Sequence, residues 1–209
     1  SEESSFRDAF KKVRSQDPDG MILNPAFASS SAREISRLHT SGIPCVFIDV
    51  NLESVDAQGY FGQDARQSGR VAASLMETGV PGLSEVLVIK QTSRKVFSSH
   101  IEMRISGFLD YFTERGLDVR PVVVEIDLLK RGEPEKSLSQ VVHQYPGIKA
   151  VFVPNSRVFL FAEFIEKRQL GGYFVTGFDS IEKNIAFLER GAISFLICQK
   201  PEMQAYNAI

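Results

Sequence analysis

Short apolar runs alternate with amphipathic stretches along the whole chain. The runs are GMILNPA (20–26), PCVFIDV (44–50), GYFGQD (59–64), EVLVIK (85–90), PVVVEID (121–127), KAVFVPN (149–155), YFVTGFD (173–179) and SFLICQ (194–199). Several are apolar at consecutive rather than alternate positions, the pattern of strands buried on both faces. Helical patterns fill the gaps. In HIEMRISGFLDYFTERG, Ile101, Ile105, Phe108, Leu109 and Phe112 share one stripe, and Gly116 follows as a stop. In DARQSGRVAASLMETG, Gly69, Ala72, Ala73 and Met76 form a small-residue face that would let a helix lie close to a sheet. Strand–helix alternation predicts parallel strands joined by right-handed crossovers, a doubly wound α/β architecture. ETGVPGLSE (77–85), dense in Gly and Pro, is read as a crossing between two lobes. VFLFAEFIEKRQL (158–170) is apolar around most of its first two turns, and a single sheet cannot cover all of that surface. Either another helix of the same lobe or a second copy of the chain covers the excess.

The ends of the strands carry the chemistry. Open parallel sheets bind ligands beyond the carboxyl ends of their strands. Here those ends read Asn24, Asp49 with Asn51, Gln63 with Asp64, Gln91, Asp127, Asn155, Asp179 and Gln199. Asp and Asn also serve as helix caps and turn formers, which accounts for any one of them. Gln is not a favoured cap, and it recurs in the set. Amides and carboxylates together suit a polyol, because each sugar hydroxyl both donates and accepts. Arg104 lies beside the apolar stripe of its helix. It either covers apolar surface and pairs at the rim or presents its five-donor fork to the site. His100 lies one turn earlier on the same face, as a first-turn surface residue or a ligand contact. Phe27 and Phe159 are candidates for stacking on a sugar's apolar face, or for the core.

Composition narrows the classes. The chain has 209 residues, is 43% hydrophobic and 24% charged, and carries a formal net charge of −2. No block of Lys and Arg exceeds two in a row, so the sequence has no nucleic-acid footprint of its own. No run reaches the roughly 18–20 apolar residues of a membrane span. Cys45 and Cys198 each sit in an apolar run, as buried reduced thiols do, and this predicts a cytoplasmic setting. There is no phosphate-binding glycine loop and no Gly-x-Ser-x-Gly elbow, and the three histidines lack metal spacing. Neither a cofactor nor a metal is expected, and binding is favoured over catalysis.

The markers in order resemble the effector-binding core of the lactose-repressor/galactose-repressor family of transcription regulators. They are DGMILNPA, IPCVFIDV, FGQDARQSGRVAASL, RISGF, AVFVPNS, VTGFDS and ICQKPEMQAYNAI. The resemblance implies a two-lobed fold like the type I periplasmic binding proteins, with parallel doubly wound sheets and an incomplete first lobe. Residues 1–82 and 199–209 would form the N-terminal lobe and 83–198 the C-terminal one. Asp64, Arg104, Asn155, Asp179 and Gln199 would contact a sugar effector in the cleft. The family's Asn-Asp pair is Asn155-Ser156 here, followed by bulky residues, a departure that bears on the ligand.

The resemblance further implies operator DNA as a partner, through an N-terminal headpiece that this chain lacks, and a homodimer with Phe161 and Phe164 at its interface. The chain reads as a fragment of a longer regulator. The alternatives are a transport or chemosensory sugar-binding protein and, less favoured, a sugar-directed enzyme using Asp64 and Asp179.

Overall fold

A computed structural model describes residues 2–25, 28–40, 42–52, 55, 57–92, 99–127 and 133–209. In chain order the elements are α1 (Glu2–Arg14), β1 (Met21–Leu23), α2 (Ala28–Thr40), β2 (Cys45–Ile48), β3 (Gly59–Phe61), α3 (Ala65–Gly79), β4 (Glu85–Gln91) and α4 (Ser99–Glu114). Then come β5 (Arg120–Ile126), α5 (Glu133–Gln144), β6 (Ala150–Phe152), α6 (Val158–Lys167), β7 (Phe174–Phe178), α7 (Glu182–Glu189), β8 (Phe195–Ile197) and α8 (Pro201–Asn207). Each of the apolar runs coincides with one of the strands, to within one residue where β4 and β5 extend past their runs at Gln91 and Arg120, and every strand pairing is parallel.

The chain divides into two compact units. One contains residues up to Gln63 and from Lys200 onward. Its sheet has the order β1-β2-β3. Phe10, Met21, Leu23, Ile35, Leu38, Cys45, Phe47 and Leu52 form its core.

The other unit contains Asp64 to Thr92 and His100 to Gln199, around a sheet of order β5-β4-β6-β7-β8. PCVFIDV and KAVFVPN thus lie in separate sheets, as a two-lobed protein requires. The inner strands β4, β6 and β7 are buried on both faces, which explains their unbroken hydrophobicity, whereas the edge strands β5 and β8 are largely exposed or half-buried. Val86, Val88, Ala150 and Phe152 face Ala72, Ala73 and Met76 of α3 and Ile105, Phe108 and Phe112 of α4. Leu87, Ile89, Val151 and Val153 face the opposite way, toward Leu138 of α5 and Val158, Phe161 and Ile165 of α6. The edge strand β5 tolerates Pro121 because an edge position leaves an N–H unneeded.

Two expectations change. Helix α3, assigned by the sequence to the first lobe, groups with the second unit. Its small-residue face meets a helix as well as the sheet. A Cβ on Gly69 would strike the backbone carbonyl of Arg104, and one on Gly107 would strike that of Arg66, so α3 and α4 cross at backbone contact. The placement of Phe161 and Phe164 at a dimer interface is also corrected. Both are buried within their own unit, and Phe161 packs edge-on to Tyr173 with ring centroids 5.5 Å apart. Helices α5 and α7 flank α6 and cover the circumference that the sheet leaves open.

Candidate functional site

Asp179 stands at the carboxyl end of β7, one residue beyond a fully buried Phe178. Its φ is +67°, the left-handed region, which costs a non-glycine residue on the order of 1 kcal/mol. Three hydrogen bonds hold it there. Its N–H donates to the carbonyl of Ile197 at the end of β8 (3.0 Å). Its own carbonyl accepts from Asn184 Nδ2 (2.9 Å). Its Oδ1 accepts from Gln199 Nε2 (2.7 Å). The helix that follows takes Ile181, not Asp179, as its N-cap. The carboxylate is therefore not a cap but one half of an amide–carboxylate pair.

Arg104 is neither a rim residue nor an open fork. It is 2% exposed, with its guanidinium carbon 3.8 Å from the centroid of the Phe178 ring. Its Nη1 donates to the carbonyl of Pro154 (3.1 Å). From α4 it thus reaches under the ends of β6 and β7 together, since Pro154 follows β6 and Phe178 ends β7. The stack on the ring and the bond to the carbonyl offset part of the cost of burying a guanidinium.

Asn155 is nearly buried. Its Oδ1 accepts from the Arg157 N–H (2.9 Å), an Asx turn. Its Nδ2 lies 3.4 Å from Gln91 Oε1, a long contact that links the ends of β6 and β4. Asp64 does act as a cap: its Oδ1 accepts from the Gln67 N–H (2.8 Å) at the start of α3. Capping occupies Oδ1 alone, and the residue is exposed.

All five sequence-assigned contacts, Asp64, Arg104, Asn155, Asp179 and Gln199, belong to the second unit. Arg104, Asn155, Asp179 and Gln199 collect around the ends of β6, β7 and β8. His100 lies half-buried in the first turn of α4. Phe159 is half-buried in α6, with Lys183 Nζ 5.0 Å from its ring centroid. Phe27 falls outside the described residues.

The sequence reading passed over Asn184, which is fully buried and hydrogen-bonded to both the β6 and β7 ends. Its signal was an amide in a short helix at i,i−3 from Phe187, where an apolar residue is expected. It also undervalued Gln91.

The first unit repeats the strand-end device. Asp49, just past β2, has φ +65°. Its N–H donates to the carbonyl of Phe61 at the end of β3 (3.2 Å), and its Oδ2 accepts from Asn24 Nδ2 (3.0 Å). Backbone strain at the ends of strands is a recurrent mark of ligand sites.

Among the described residues no group of His, Cys, Asp and Glu could hold a metal ion, and no helix is long and apolar enough to cross a membrane. Parallel α/β units with amides and carboxylates held at their strand ends define a class of protein built to hold a small polar ligand. Within that class, the chain belongs to the periplasmic binding protein domain family, which it matches over residues 1–209. Its fold is the type I periplasmic-binding-protein-like one.

A protein from Bacteroides fragilis, described as a candidate LacI transcriptional regulator, superposes with a TM-score of 0.88 at 26% identity, covering 99% of this chain and 72% of that one. A glucose-galactose binding protein from Geobacillus stearothermophilus superposes with a TM-score of 0.83 at 22% identity, covering 96% and 71%. The ribose import binding protein of Bacillus subtilis is 20% identical over 200 residues, 90% of this chain and 60% of that protein. The chain thus spans less than two thirds of that relative's length.

Proposed function

We propose that this chain is the effector-sensing core of a transcription regulator of the lactose-repressor/galactose-repressor type, and that its effector is a sugar or sugar derivative. The observation that carries the sugar reading is the Asp179–Gln199 pair. It sets an acceptor carboxylate and a carboxamide side by side on a rigid strand end, with the Arg104 guanidinium under the neighbouring ring. Adjacent sugar hydroxyls, each donor and acceptor, match such an array. Asn155, with its side chain already oriented by an Asx turn, adds a further amide. The ligand would bias the equilibrium between conformations of the protein, and an attached headpiece would read that bias as a change in operator affinity. A cytoplasmic homodimer goes with this reading. The likeness to the Bacteroides fragilis protein supports it.

A second reading, a sugar-binding protein of a transport or chemosensory system, is favoured by the likeness to the ribose import and glucose-galactose binding proteins. In both readings the chain binds and does not transform its ligand.

A thermal-shift and calorimetry panel on the intact protein tests the binding, with D-ribose, D-glucose, D-galactose, oligosaccharides and sugar phosphates. A ligand at 100 times its Kd stabilises the folded state by about 2.7 kcal/mol. A panel with no stabilising sugar overturns the sugar reading. Fluorescence anisotropy with DNA from upstream of the protein's own gene then separates the two roles. Sugar-dependent DNA binding supports the regulator, and sugar binding without DNA binding supports the transport protein.

A further inference from the structure

The geometry points to Asn184 as a positioning residue that fixes the two ligand-contacting strand ends, at Asn155 and Asp179, through one buried carboxamide; the inference rests on the sugar-binding reading above. Asn184 is 0% exposed, in a helix whose other residues are not buried. Its Nδ2 lies 3.0 Å from the carbonyl of Ser156, 2.9 Å from that of Phe178 and 2.9 Å from that of Asp179. Its Oδ1 accepts from the N–H of Phe159 (3.2 Å). Two amide hydrogens therefore serve three carbonyls, and every polar atom of the side chain is used.

The partners fall on both sides of the site. Ser156 belongs to the turn that carries Asn155 from β6 into α6 and Phe159 to the first turn of α6, while Phe178 ends β7 and Asp179 follows it. Helix α6 has Arg157 at its N-cap position with no side-chain cap hydrogen bond, so Asn184 supplies from α7 an acceptor that a first-turn N–H needs. At the other end it holds the carbonyl of a residue in the left-handed region. That conformation aims the Asp179 carboxylate at Gln199. Losing the Asn184 donors would leave buried carbonyls unpaired and let the Asp179 peptide turn back toward its ordinary conformation. The carboxylate would move without any ligand contact having been removed. Asn184 itself touches no ligand, and its effect passes through Asp179 and Asn155.

Two measurements on the intact protein test this. The first needs no ligand: amide hydrogen exchange of the wild type, Asn184→Ala and Asn184→Ser, read over residues 155–160 and 176–181. Both segments should exchange faster in Asn184→Ala, with β4 and β5 unchanged. Acceleration in one segment only, in neither, or throughout the unit in both variants overturns the inference. The second is calorimetry with the tightest sugar of the panel, as a double-mutant cycle with Asp179→Ala. Asn184→Ala alone should weaken binding about 10- to 100-fold. In the Asp179→Ala background its effect should be smaller by at least about 3-fold, because one of the two groups it positions is gone, and an undiminished effect there overturns the inference. A wild type that binds a sugar no more tightly than Asn184→Ala overturns the inference and leaves the sugar reading standing. A wild type that binds no sugar overturns the reading, and the exchange experiment still judges the bridge.

Discussion

Gln199 Nε2 donates to Asp179 Oδ1 across 2.7 Å, joining the second residue past β8 to the residue just past β7. The two strands are neighbours in the sheet, with Phe178 opposite Ile197 in register. The pairing brings the segments that leave both strands to the same edge, where the Gln199 amide, one residue beyond Cys198, meets the Asp179 carboxylate. A ligand that meets this pair meets donors and an acceptor already oriented, and little of its binding energy is lost to ordering side chains.

Removing the carboxylate should be costly to binding and cheap to the fold. Asp179→Ala is expected to weaken sugar binding roughly 10- to 150-fold by calorimetry. Glu114→Ala, which removes an exposed partner of Arg70, should leave affinity unchanged. Asp179→Gly should bind as poorly as Asp179→Ala yet be more stable by about 1 kcal/mol, since glycine adopts φ +67° without a clash. Equal midpoints of the two variants in urea would mean that the strain is not present.

Arg104 should behave differently, because it is buried. Arg104→Ala removes a hydrogen bond to Pro154 and the stack on Phe178, so both affinity and stability should fall, stability by about 2–4 kcal/mol. Arg104→Lys keeps the charge but not the planar fork, and should still lose about 10-fold or more in affinity. An Arg104→Ala protein with wild-type urea midpoint would contradict the buried placement.

The crossing of α3 on α4 predicts a sharp sensitivity to one methyl group. Gly69→Ala or Gly107→Ala pushes a Cβ into backbone that cannot swing aside, for a loss of about 1–3 kcal/mol, or more if the helices must separate. Gly147→Ala, where a Cβ would meet open space, is the control and should be near neutral. Chemical denaturation of the three variants settles the comparison.

The two thiols should differ in reactivity. Burial pushes Cys45 up to about 11, while Cys198 is exposed. A thiol reagent at pH 8 should therefore modify Cys198 in the native protein and reach Cys45 only after unfolding. The sign of the linkage follows from the raised value. The folded state holds the Cys45 proton more tightly than the unfolded chain, so its contribution is complete below the ordinary thiol range and is lost as pH rises toward about 11. Cys45→Val should flatten that alkaline loss, and an unchanged stability profile between pH 8.5 and 11 would argue against it.

Phe161→Glu should now unfold the second unit rather than dissociate a dimer, since it buries an unpaired carboxylate among Val175, Phe164 and Tyr173. Circular dichroism and light scattering together separate the two outcomes.

Much of this protein was readable without coordinates. The strands could be found because burial on both faces of a parallel sheet makes hydrophobicity local and continuous, as in EVLVIK and KAVFVPN. The ligand-type residues could be found because they fall at the ends of those runs, where a parallel sheet exposes its carboxyl edge. What the sequence could not decide is which surfaces meet. Gly69 looked suited to a sheet and proved to sit against the backbone of Arg104. Arg104, by spacing at the border of its stripe, proved to be buried on Phe178. Phe161 and Phe164, in excess of what one sheet can cover, found their cover in neighbouring parts of the same unit. Asp64 does cap a helix and Asp179 does not, although both follow a strand and precede a helix. Asn184 drew no notice, because two of its partners, Ser156 and Phe159, lie 28 and 25 residues away and become its neighbours only when β6 and β7 pair. Periodicity records the environment each residue requires, and only the packed chain determines which residues provide it.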